Sequence, residues 1–394
     1  MTYDFDRVID RRGTDCEKYD FAVEHGLPAD ALPLWVADMD FQAPPEVLEA
    51  LRGCVDHGIF GYTGQKPDYF EAVTRWFEDR FHWHTEAEWI VPTPGVVFAL
   101  ATAVRAFTDP GDAVLIQTPV YPPFFGVVQR NGRRLVECPL TLAEGRYGID
   151  FDAFERAVAD EGVKLFILCS PHNPVGRVWR VDELRRMGEI CQRHDVIVVS
   201  DEIHCDFSYP EHPHTPFIQA APELAARAAV CTAPSKTFNL AGLQTSNVFI
   251  PGGELRKRFT DELGRTGWGG LNGMGQAACK AAYRHGGPWL DALKAYLRGN
   301  VDFLRTYLRD NLPMLKLIEP EGTYLAWVDF SGLDLTPEAI HDLVANKARL
   351  WLDDGNIFGA VGAPFQRLVL ACPRSTLHQA LDRLKDAIKT TDAH

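Results

Sequence analysis

The chain has 394 residues, of which 46% are hydrophobic, and a formal net charge of −14 at pH 7. This length exceeds that of one small domain and predicts two lobes with a sizeable core. The acidic balance argues against a protein that binds nucleic acid irrespective of sequence, because such binding depends on basic side chains. No run of 18 apolar residues occurs, so no transmembrane helix is predicted.

The first residues and the cysteines predict a cytoplasmic protein. Residues 1–6 (MTYDFD) are acidic and lack the apolar core of a signal peptide. The nine cysteines are scattered, odd in number and contain no CxxC pair. This pattern favours reduced thiols over disulfides or a zinc site, so no metal is expected.

The middle of the chain alternates short apolar runs with amphipathic stretches. Apolar runs of four to six residues, separated by helices, are typical of buried strands in a mostly parallel sheet. They predict an α/β large domain over residues 47–288. The predicted strands are 113–116, 164–169, 196–200, 228–231 and 247–250, with helices beginning near 150 and covering 181–194.

The last hundred or so residues have a different pattern, in which a long helix comes first and strands follow. This order predicts a smaller α+β domain over residues 289–394. The predicted helices are 289–310, 337–347 and 375–389, and the predicted strands are 315–318, 323–328 and 367–370.

Lys236 has an unusual setting for a lysine. Within residues 231–242 (CTAPSKTFNLAG) it follows a short apolar stretch and enters a turn of small and hydroxyl residues. An amine in a partly desolvated pocket has a lowered pKa and can become a nucleophile. A lysine in a loop is more often a surface residue. Two upstream segments favour the reactive interpretation here: residues 170–176 (SPHNPVG) and 200–204 (SDEIH).

These three segments, in this order, resemble the fold-type I enzymes that use pyridoxal phosphate (PLP), over nearly the whole chain. Within that group the chain is similar to the cystathionine β-lyase branch, the MalY/PatB type. Residues 34–41 (LWVADMDF), 118–124 (TPVYPPF) and 372–374 (CPR) also match that branch. The resemblance implies a mostly parallel seven-stranded sheet, a smaller α+β domain, and a segment of residues 1–46 that packs with the smaller domain.

The resemblance also implies roles around the cofactor ring. Lys236 would bind the aldehyde covalently and later act as the general base at the substrate Cα. Asp201 would keep the pyridine nitrogen protonated, because opposite charges attract strongly in a low dielectric. Asn173 would bond the phenolic oxygen, although an Asn-Pro pair also favours a turn. His204 stands where related aminotransferases have a tyrosine facing that oxygen, with a structural histidine as the alternative.

Three further residues are assigned to the substrate and the ring face. Tyr121 would stack on the cofactor ring and could assist the leaving group, with a plain core tyrosine as the alternative. Arg374 would bind the substrate carboxylate through two parallel hydrogen bonds, with a surface arginine as the alternative. Trp35 would help to shape the substrate pocket.

Phosphate binding is predicted at the start of a helix. Backbone N–H groups at a helix N-terminus favour an anion, and Gly95, followed by Val96 and Val97, permits close approach. Ser235 would add a hydroxyl. Tyr62 matches a family tyrosine that reaches the phosphate of the neighbouring subunit, which implies a homodimer.

Two positions depart from typical aminotransferases of this fold. Gln244 stands near the place of an arginine that grips the phosphate, and Ala233 replaces a serine. The glutamine resembles the β-lyase branch. We therefore expect α,β-elimination from L-cystathionine or related S-substituted cysteines, giving a thiol such as homocysteine, pyruvate and ammonia. Two alternatives stay open: a class I/II PLP aminotransferase, and a regulatory protein-binding role on the same fold, since some members of this branch bind a transcription factor.

Overall fold

A seven-stranded sheet forms the centre of the computed structural model, which describes residues 3–391. Short apolar runs form most of its strands, and in Val163–Cys169 every residue except Lys164 is buried. Such a run is typical of a strand covered on both faces. In chain order the strands are β1 Leu32–Pro33, β2 Ile90–Thr93, β3 Ala113–Ile116, β4 Arg134–Glu137, β5 Thr141–Ala143, β6 Arg146–Gly148, β7 Val163–Cys169, β8 Ile197–Asp201, β9 Ala228–Thr232, β10 Ser246–Phe249, β11 Lys316–Ile318, β12 Leu325–Asp329, β13 Leu350–Trp351, β14 Asp353–Asp354 and β15 Phe365–Val369.

The helices bury apolar stripes against the sheets and against each other. Within residues 3–391, no helix is both long enough and apolar enough to cross a membrane. The α-helices are α1 Glu17–Asp20, α2 Pro45–His57, α3 Pro67–Phe81, α4 Val96–Phe107, α5 Pro123–Gln129, α6 Phe151–Asp160, α7 Val181–Arg193, α8 Phe217–Ala220, α9 Pro234–Thr237, α10 Gly253–Arg265, α11 Gly273–His285, α12 Gly287–Asn311, α13 Pro337–His341 and α14 Arg374–Thr391. Short 3-10 turns cover Ala87–Trp89, Cys205–Phe207, Pro222–Arg227, Ala241–Leu243, Ser331–Leu333, Gly355–Phe358 and Ala360–Gly362, and a π turn covers Asp342–Lys347.

The strand order of the large sheet is β2-β10-β9-β8-β7-β3-β4. Only β10 runs antiparallel to its neighbours, and the remaining pairs are parallel. This topology confirms the predicted α/β fold with a mostly parallel seven-stranded sheet. The carboxyl ends of β3, β7, β8 and β9 consequently meet at one edge, where ligands bind in open α/β sheets.

A second, antiparallel sheet has the order β11-β12-β15-β14. Its register places Asp353 of β14 opposite Arg367 of β15. Strand β1, from the N-terminal part of the chain, pairs in parallel with β13. The N-terminal segment therefore contacts the C-terminal part of the chain, while the domain boundaries at residues 46/47 and 288/289 stay a prediction.

Some elements differ from the sequence-based expectation. Strands β2 and β4 were not predicted, because β2 contains Pro92 and the edge strand β4 begins and ends with exposed charged residues, Arg134 and Glu137. The helix predicted over residues 337–347 is α13 followed by the π turn. Its hydrophobic pattern continues through the turn, so the sequence does not reveal the change in hydrogen bonding.

Candidate active site

A cavity of about 210 Å³ lies at the carboxyl edge of the large sheet. Its walls come from the segments that follow β2, β3, β7, β8 and β9. Each of those strands ends in a loop or a short helix, and the chain reversal there points polar side chains into one space. The residues that line it include Lys236, Asp201, Asn173, His204, Tyr121, Gly95, Val96, Val97 and Ser235.

Lys236 projects into this cavity from the single helical turn α9. Its Nζ donates a hydrogen bond to the carbonyl oxygen of Ala37 at 2.6 Å. Burial, assisted by the nearby Arg367, lowers the pKa of the amine to about 8, while Asp38 and Asp201 oppose that shift. A large fraction of the amine is therefore unprotonated in mildly alkaline solution, and this is the form that attacks a carbonyl.

Asp201 ends strand β8, and only 4% of its surface is exposed. Burial raises the pKa of its carboxyl to about 7, although the backbone N–H of Ile203, at 3.1 Å, favours the charged form. Within residues 3–391, no cationic side chain forms an ion pair with it. A ligand that places a positive charge beside this carboxylate would keep it ionised.

Asn173 and Arg367 meet at a neighbouring wall. The buried guanidinium of Arg367 donates to Oδ1 of Asn173 at 3.0 Å and to the carbonyl oxygen of Trp35 at 2.7 Å. It also forms an ion pair with Asp353. Since Asn173 accepts through Oδ1, its Nδ2 is the donor that it can offer to a ligand. The guanidinium is thus held at the cavity by acceptors on three sides.

Arg374 does not reach the cavity, in contrast to the prediction that it binds the substrate carboxylate. At the start of α14, its Nε donates to Oδ1 of Asn300 at 3.0 Å, and its guanidinium lies 5.5 Å from the ring centre of Tyr296. These contacts join α14 to α12. Arg367 is the arginine that the structure brings beside the cavity. A charged residue within a buried strand was the sequence signal for it.

Tyr121 and His204 complete the sides of the cavity. Tyr121 follows the cis-proline Pro119, and burial raises the pKa of its hydroxyl. Only 3% of His204 is exposed, and burial lowers the pKa of its imidazole to about 3, so the ring is neutral. Its Nδ1 has no hydrogen-bond partner within the described part of the chain. A ligand with a polar atom at this wall would form the missing hydrogen bond with Nδ1 of His204.

The start of α4 gives the cavity a wall that suits an anion. Gly95 is the N-cap of α4, and the backbone N–H groups of its first turn have no intrahelical acceptor. Val96, Val97, Ser235 and Gln244 also line this space. Within residues 3–391, Lys236 is the sole lysine or arginine among the lining residues. An anion here would be held by N–H, hydroxyl and amide donors.

Tyr62 and Trp35 lie outside this cavity. The side chain of Tyr62 is fully exposed and lines a separate cavity of about 590 Å³. The indole ring of Trp35 stacks on Trp351 at 4.2 Å, with 10° between the planes. Trp35 thus contributes its backbone carbonyl, which contacts Arg367, and not the aromatic wall of the substrate pocket that was expected.

The arrangement fits PLP. The amine of Lys236 matches an aldehyde, the unpaired carboxylate of Asp201 matches a ring nitrogen that takes up a proton, and the start of α4 matches a phosphate. The unpartnered Nδ1 of His204 and the amide of Asn173 also line the cavity and match the polar ring substituents, which need partners. Each group has a chemical counterpart in this one ligand.

Comparison with known proteins gives the same result. The family model described as "Aminotransferase class I and II" matches residues 29–384. Cystathionine beta-lyase PatB of Bacillus subtilis (strain 168) is 44% identical over 384 residues, which are 98% of this chain and 99% of that protein. Protein MalY of Escherichia coli (strain K12) is 34% identical over 389 residues, with coverages of 98% and 99%. The crystal structure of cystalysin from Treponema denticola, which contains PLP, matches with a TM-score of 0.96 and 39% identity, covering 99% of this chain and 100% of that one.

Proposed function

The chain belongs to the class I and II aminotransferase family, and we propose that it is a PLP-dependent carbon–sulfur β-lyase. The reaction is α,β-elimination from L-cystathionine or a related S-substituted cysteine, which consumes one water and yields a thiol, pyruvate and ammonia. With cystathionine the thiol is homocysteine. The observation that carries the cofactor site is the amine of Lys236 in one cavity with the unpaired carboxylate of Asp201, beside the guanidinium of Arg367. These groups would serve a PLP aminotransferase equally, and the 44% identity to cystathionine beta-lyase PatB favours elimination.

Several side chains have the chemistry to hold the cofactor. Lys236 would bind its aldehyde, Asp201 its ring nitrogen, and Asn173 and His204 the phenolic oxygen. Tyr121 would cover one ring face, and the start of α4 with Ser235 would hold the phosphate. When bound, PLP supplies an electron sink that stabilises negative charge at the substrate Cα.

The protein's own groups orient the substrate and move the proton. Arg367 is the group that would bind the substrate carboxylate, because its planar guanidinium favours two parallel hydrogen bonds. Lys236, once released, would remove the proton from Cα, and a pKa of about 8 suits a base that operates near neutral pH. Tyr121 lies at the same cavity and could donate its hydroxyl proton to the departing sulfur.

The proposed assembly is a homodimer in which Tyr62 reaches the phosphate end of the neighbouring site. Ile59 and Phe60, beside Tyr62, are 72% and 71% exposed. Exposed apolar side chains of this density are typical of a surface that another protein covers. The phosphate end would gain a hydroxyl donor from such a partner. All nine cysteines are free thiols, which supports a cytoplasmic location for the enzyme.

A coupled assay tests the proposed reaction. Purified protein is given PLP and L-cystathionine without a keto acid, and pyruvate is followed with a dehydrogenase. We expect sustained pyruvate formation that the Lys236→Ala variant abolishes. The variant Lys257→Ala, at an exposed lysine of α10, serves as the matched control and should retain full activity. Amino transfer that requires a keto acid, with no pyruvate in its absence, would replace this proposal by the aminotransferase alternative.

A further inference from the structure

The loop of residues 37–41 lies directly against the reactive amine. The carbonyl oxygen of Ala37 accepts hydrogen bonds from Nζ of Lys236 at 2.6 Å and from the hydroxyl of Tyr324 at 3.0 Å. A lysine side chain has four flexible carbon–carbon bonds, so its amine lies where a polar partner holds it. The position of this carbonyl oxygen therefore determines the position of the unmodified Lys236 amine.

Asn239 fixes the loop from the side of Lys236. Its Oδ1 accepts from the backbone N–H of Met39 at 3.0 Å, and its Nδ2 donates to the carbonyl oxygens of Met39 and Phe41, both at 2.9 Å. Both hydrogens of the amide group are thus used on a loop about 200 residues away in sequence. Asn239 follows Lys236 by three positions and has a φ of 58°, a left-handed conformation that asparagine adopts more readily than most residues.

Charged groups of residues 11–19 also hold the loop. Lys18, which is fully buried, donates to both carboxylate oxygens of Asp40 at 3.1 Å, and Tyr19 donates to the same carboxylate at 3.0 Å. Arg11 pairs with Asp38 at 2.6 Å and with Asp40 at 2.9 Å. The loop is consequently held by both sets of contacts, and Tyr324 also holds its Ala37 carbonyl. Asn239 supplies the side-chain hydrogen bonds that join Met39 and Phe41 to the segment of Lys236.

We infer that Asn239 is a positioning residue for the lyase reaction: it holds the 37–41 loop so that the carbonyl oxygen of Ala37 places the amine of Lys236. This inference rests on the proposed function. Asn239 is absent from the residues that line the cavity, so it acts through the loop and not on the substrate. Arg367, the group that would bind the substrate carboxylate, and its partner Asn173 take no part in these contacts.

The expected effect falls on the chemical step. A displacement of a reacting group by about 1 Å can lower a rate by about 100-fold. Loss of three hydrogen bonds between Asn239 and the loop should therefore lower kcat by roughly 10- to 100-fold. KM should stay within about twofold, because interactions that bind ground state and transition state equally are unchanged.

The test uses the variant Asn239→Gly. Glycine adopts a positive φ without strain, so the backbone turn is retained while the amide side chain is lost. The matched control is His82→Gly, another residue with positive φ, 52°, at the end of α3 and away from the cavity. For each protein we would measure kcat and KM with L-cystathionine. In the PLP-loaded full chain we would measure hydrogen exchange of residues 38–41. In the cofactor-free full chain we would measure the rate at which an amine-reactive reagent modifies Lys236.

For Asn239→Gly the inference predicts a lower kcat, faster exchange in residues 38–41 and an altered modification rate of Lys236, none of which occurs in the control. KM should be unchanged in both variants. An unchanged kcat would overturn it, and so would a lower kcat without faster exchange in the loop. If Asn239→Gly does not fold, Asn239→Asp, which keeps the acceptor and loses both donors, is measured with the same criteria. Lack of pyruvate from the unmodified protein would instead refute the proposed function, and the exchange and modification data would still report on the contact between loop and lysine.

Discussion

Asp353 and Arg367 lie directly opposite each other on the antiparallel strands β14 and β15, with the carboxylate of one paired to the guanidinium of the other. The side chains of both residues are almost entirely buried, at 12% and 4% exposure. A cross-strand pair on a sheet has little freedom of orientation. The guanidinium is therefore oriented before any substrate arrives, which limits the ordering cost of binding a carboxylate.

The first prediction concerns which arginine binds the substrate. Lysine cannot form the two parallel bonds of a guanidinium, so Arg367→Lys should raise KM for L-cystathionine by about 10- to 100-fold, equivalent to about 1.4–2.7 kcal/mol. Arg374→Lys, in the contacts between α12 and α14, should leave KM unchanged. Steady-state kinetics of both variants show which arginine contributes to substrate binding. The reverse pattern would restore Arg374 as the carboxylate ligand.

The second prediction concerns the pH at which Lys236 reacts. Only the unprotonated amine is nucleophilic, so the rate of PLP incorporation into cofactor-free protein should rise with pH, with a midpoint near the lowered pKa of about 8. Arg367 is one cause of the lowered pKa, and its removal in Arg367→Met should move the midpoint to higher pH. Stopped-flow absorbance of cofactor binding measures both values. A midpoint that does not move in the variant would contradict the electrostatic contribution of Arg367.

The third prediction concerns the free energy of unfolding that is lost because the Asp201 carboxylate is buried without a cationic partner. Its pKa is about 7 in the folded chain, against an ordinary value of 3.8. Between these values the folded state binds more protons than the unfolded state, so this residue lowers stability progressively as the pH rises from about 4 to 7. Asp201→Asn should therefore stabilise the cofactor-free protein at pH 8 by on the order of 4 kcal/mol, with little gain at pH 4.

Urea denaturation of both proteins at the two pH values provides the measurement. With PLP bound, the stability advantage of Asp201→Asn should disappear, because the ring nitrogen now partners the carboxylate. The loaded variant should also lose at least about 100-fold in kcat, the scale of losing a group that stabilises charge in a transition state. A variant with the same stability as the original protein at pH 8 would contradict the raised pKa.

The fourth prediction concerns the second subunit. Phe60→Asp should disrupt the proposed dimer, because a carboxylate then lies in an apolar contact. Tyr62→Phe should leave the dimer intact and raise the dissociation constant of PLP, since one phosphate donor is lost. Sedimentation velocity and cofactor titration separate the two effects. Unchanged PLP affinity in a dimeric Tyr62→Phe protein would remove Tyr62 from the phosphate site.

The sequence predicted the class of fold and several of the polar residues that line the cavity. Lys236, Asp201 and Asn173 each follow a buried apolar run, and in a parallel sheet such positions meet at one edge. The roles assigned to them remain predictions. Their convergence was foreseeable because it depends only on strand order and direction.

The choice between Arg367 and Arg374 was not foreseeable in the same way. The two residues are seven positions apart, one near the middle of β15 and one at the first turn of α14. Whether such a side chain faces the cavity depends on where the strand ends and on the register of β14 with β15. The direction of the Trp35 ring likewise depends on its partner Trp351, more than 300 residues away in sequence. A charged residue within a buried strand marks Arg367 as unusual, but local patterns do not specify the partners of Arg367 or Trp35.

Residues from both ends of the chain lie at or beside the cavity. Ala37 and Trp35 come from near the start of the chain and Arg367 from near its end. This has a consequence during synthesis on the ribosome. Once β10 has emerged, every strand of the large sheet and Lys236 are available, yet the guanidinium that would orient a carboxylate has not been translated. A nascent chain stopped at residue 288 would have the means to capture the cofactor's aldehyde and no means to align an amino acid with it. On the proposed roles, the group that aligns the substrate is thus synthesised after the groups that hold the cofactor.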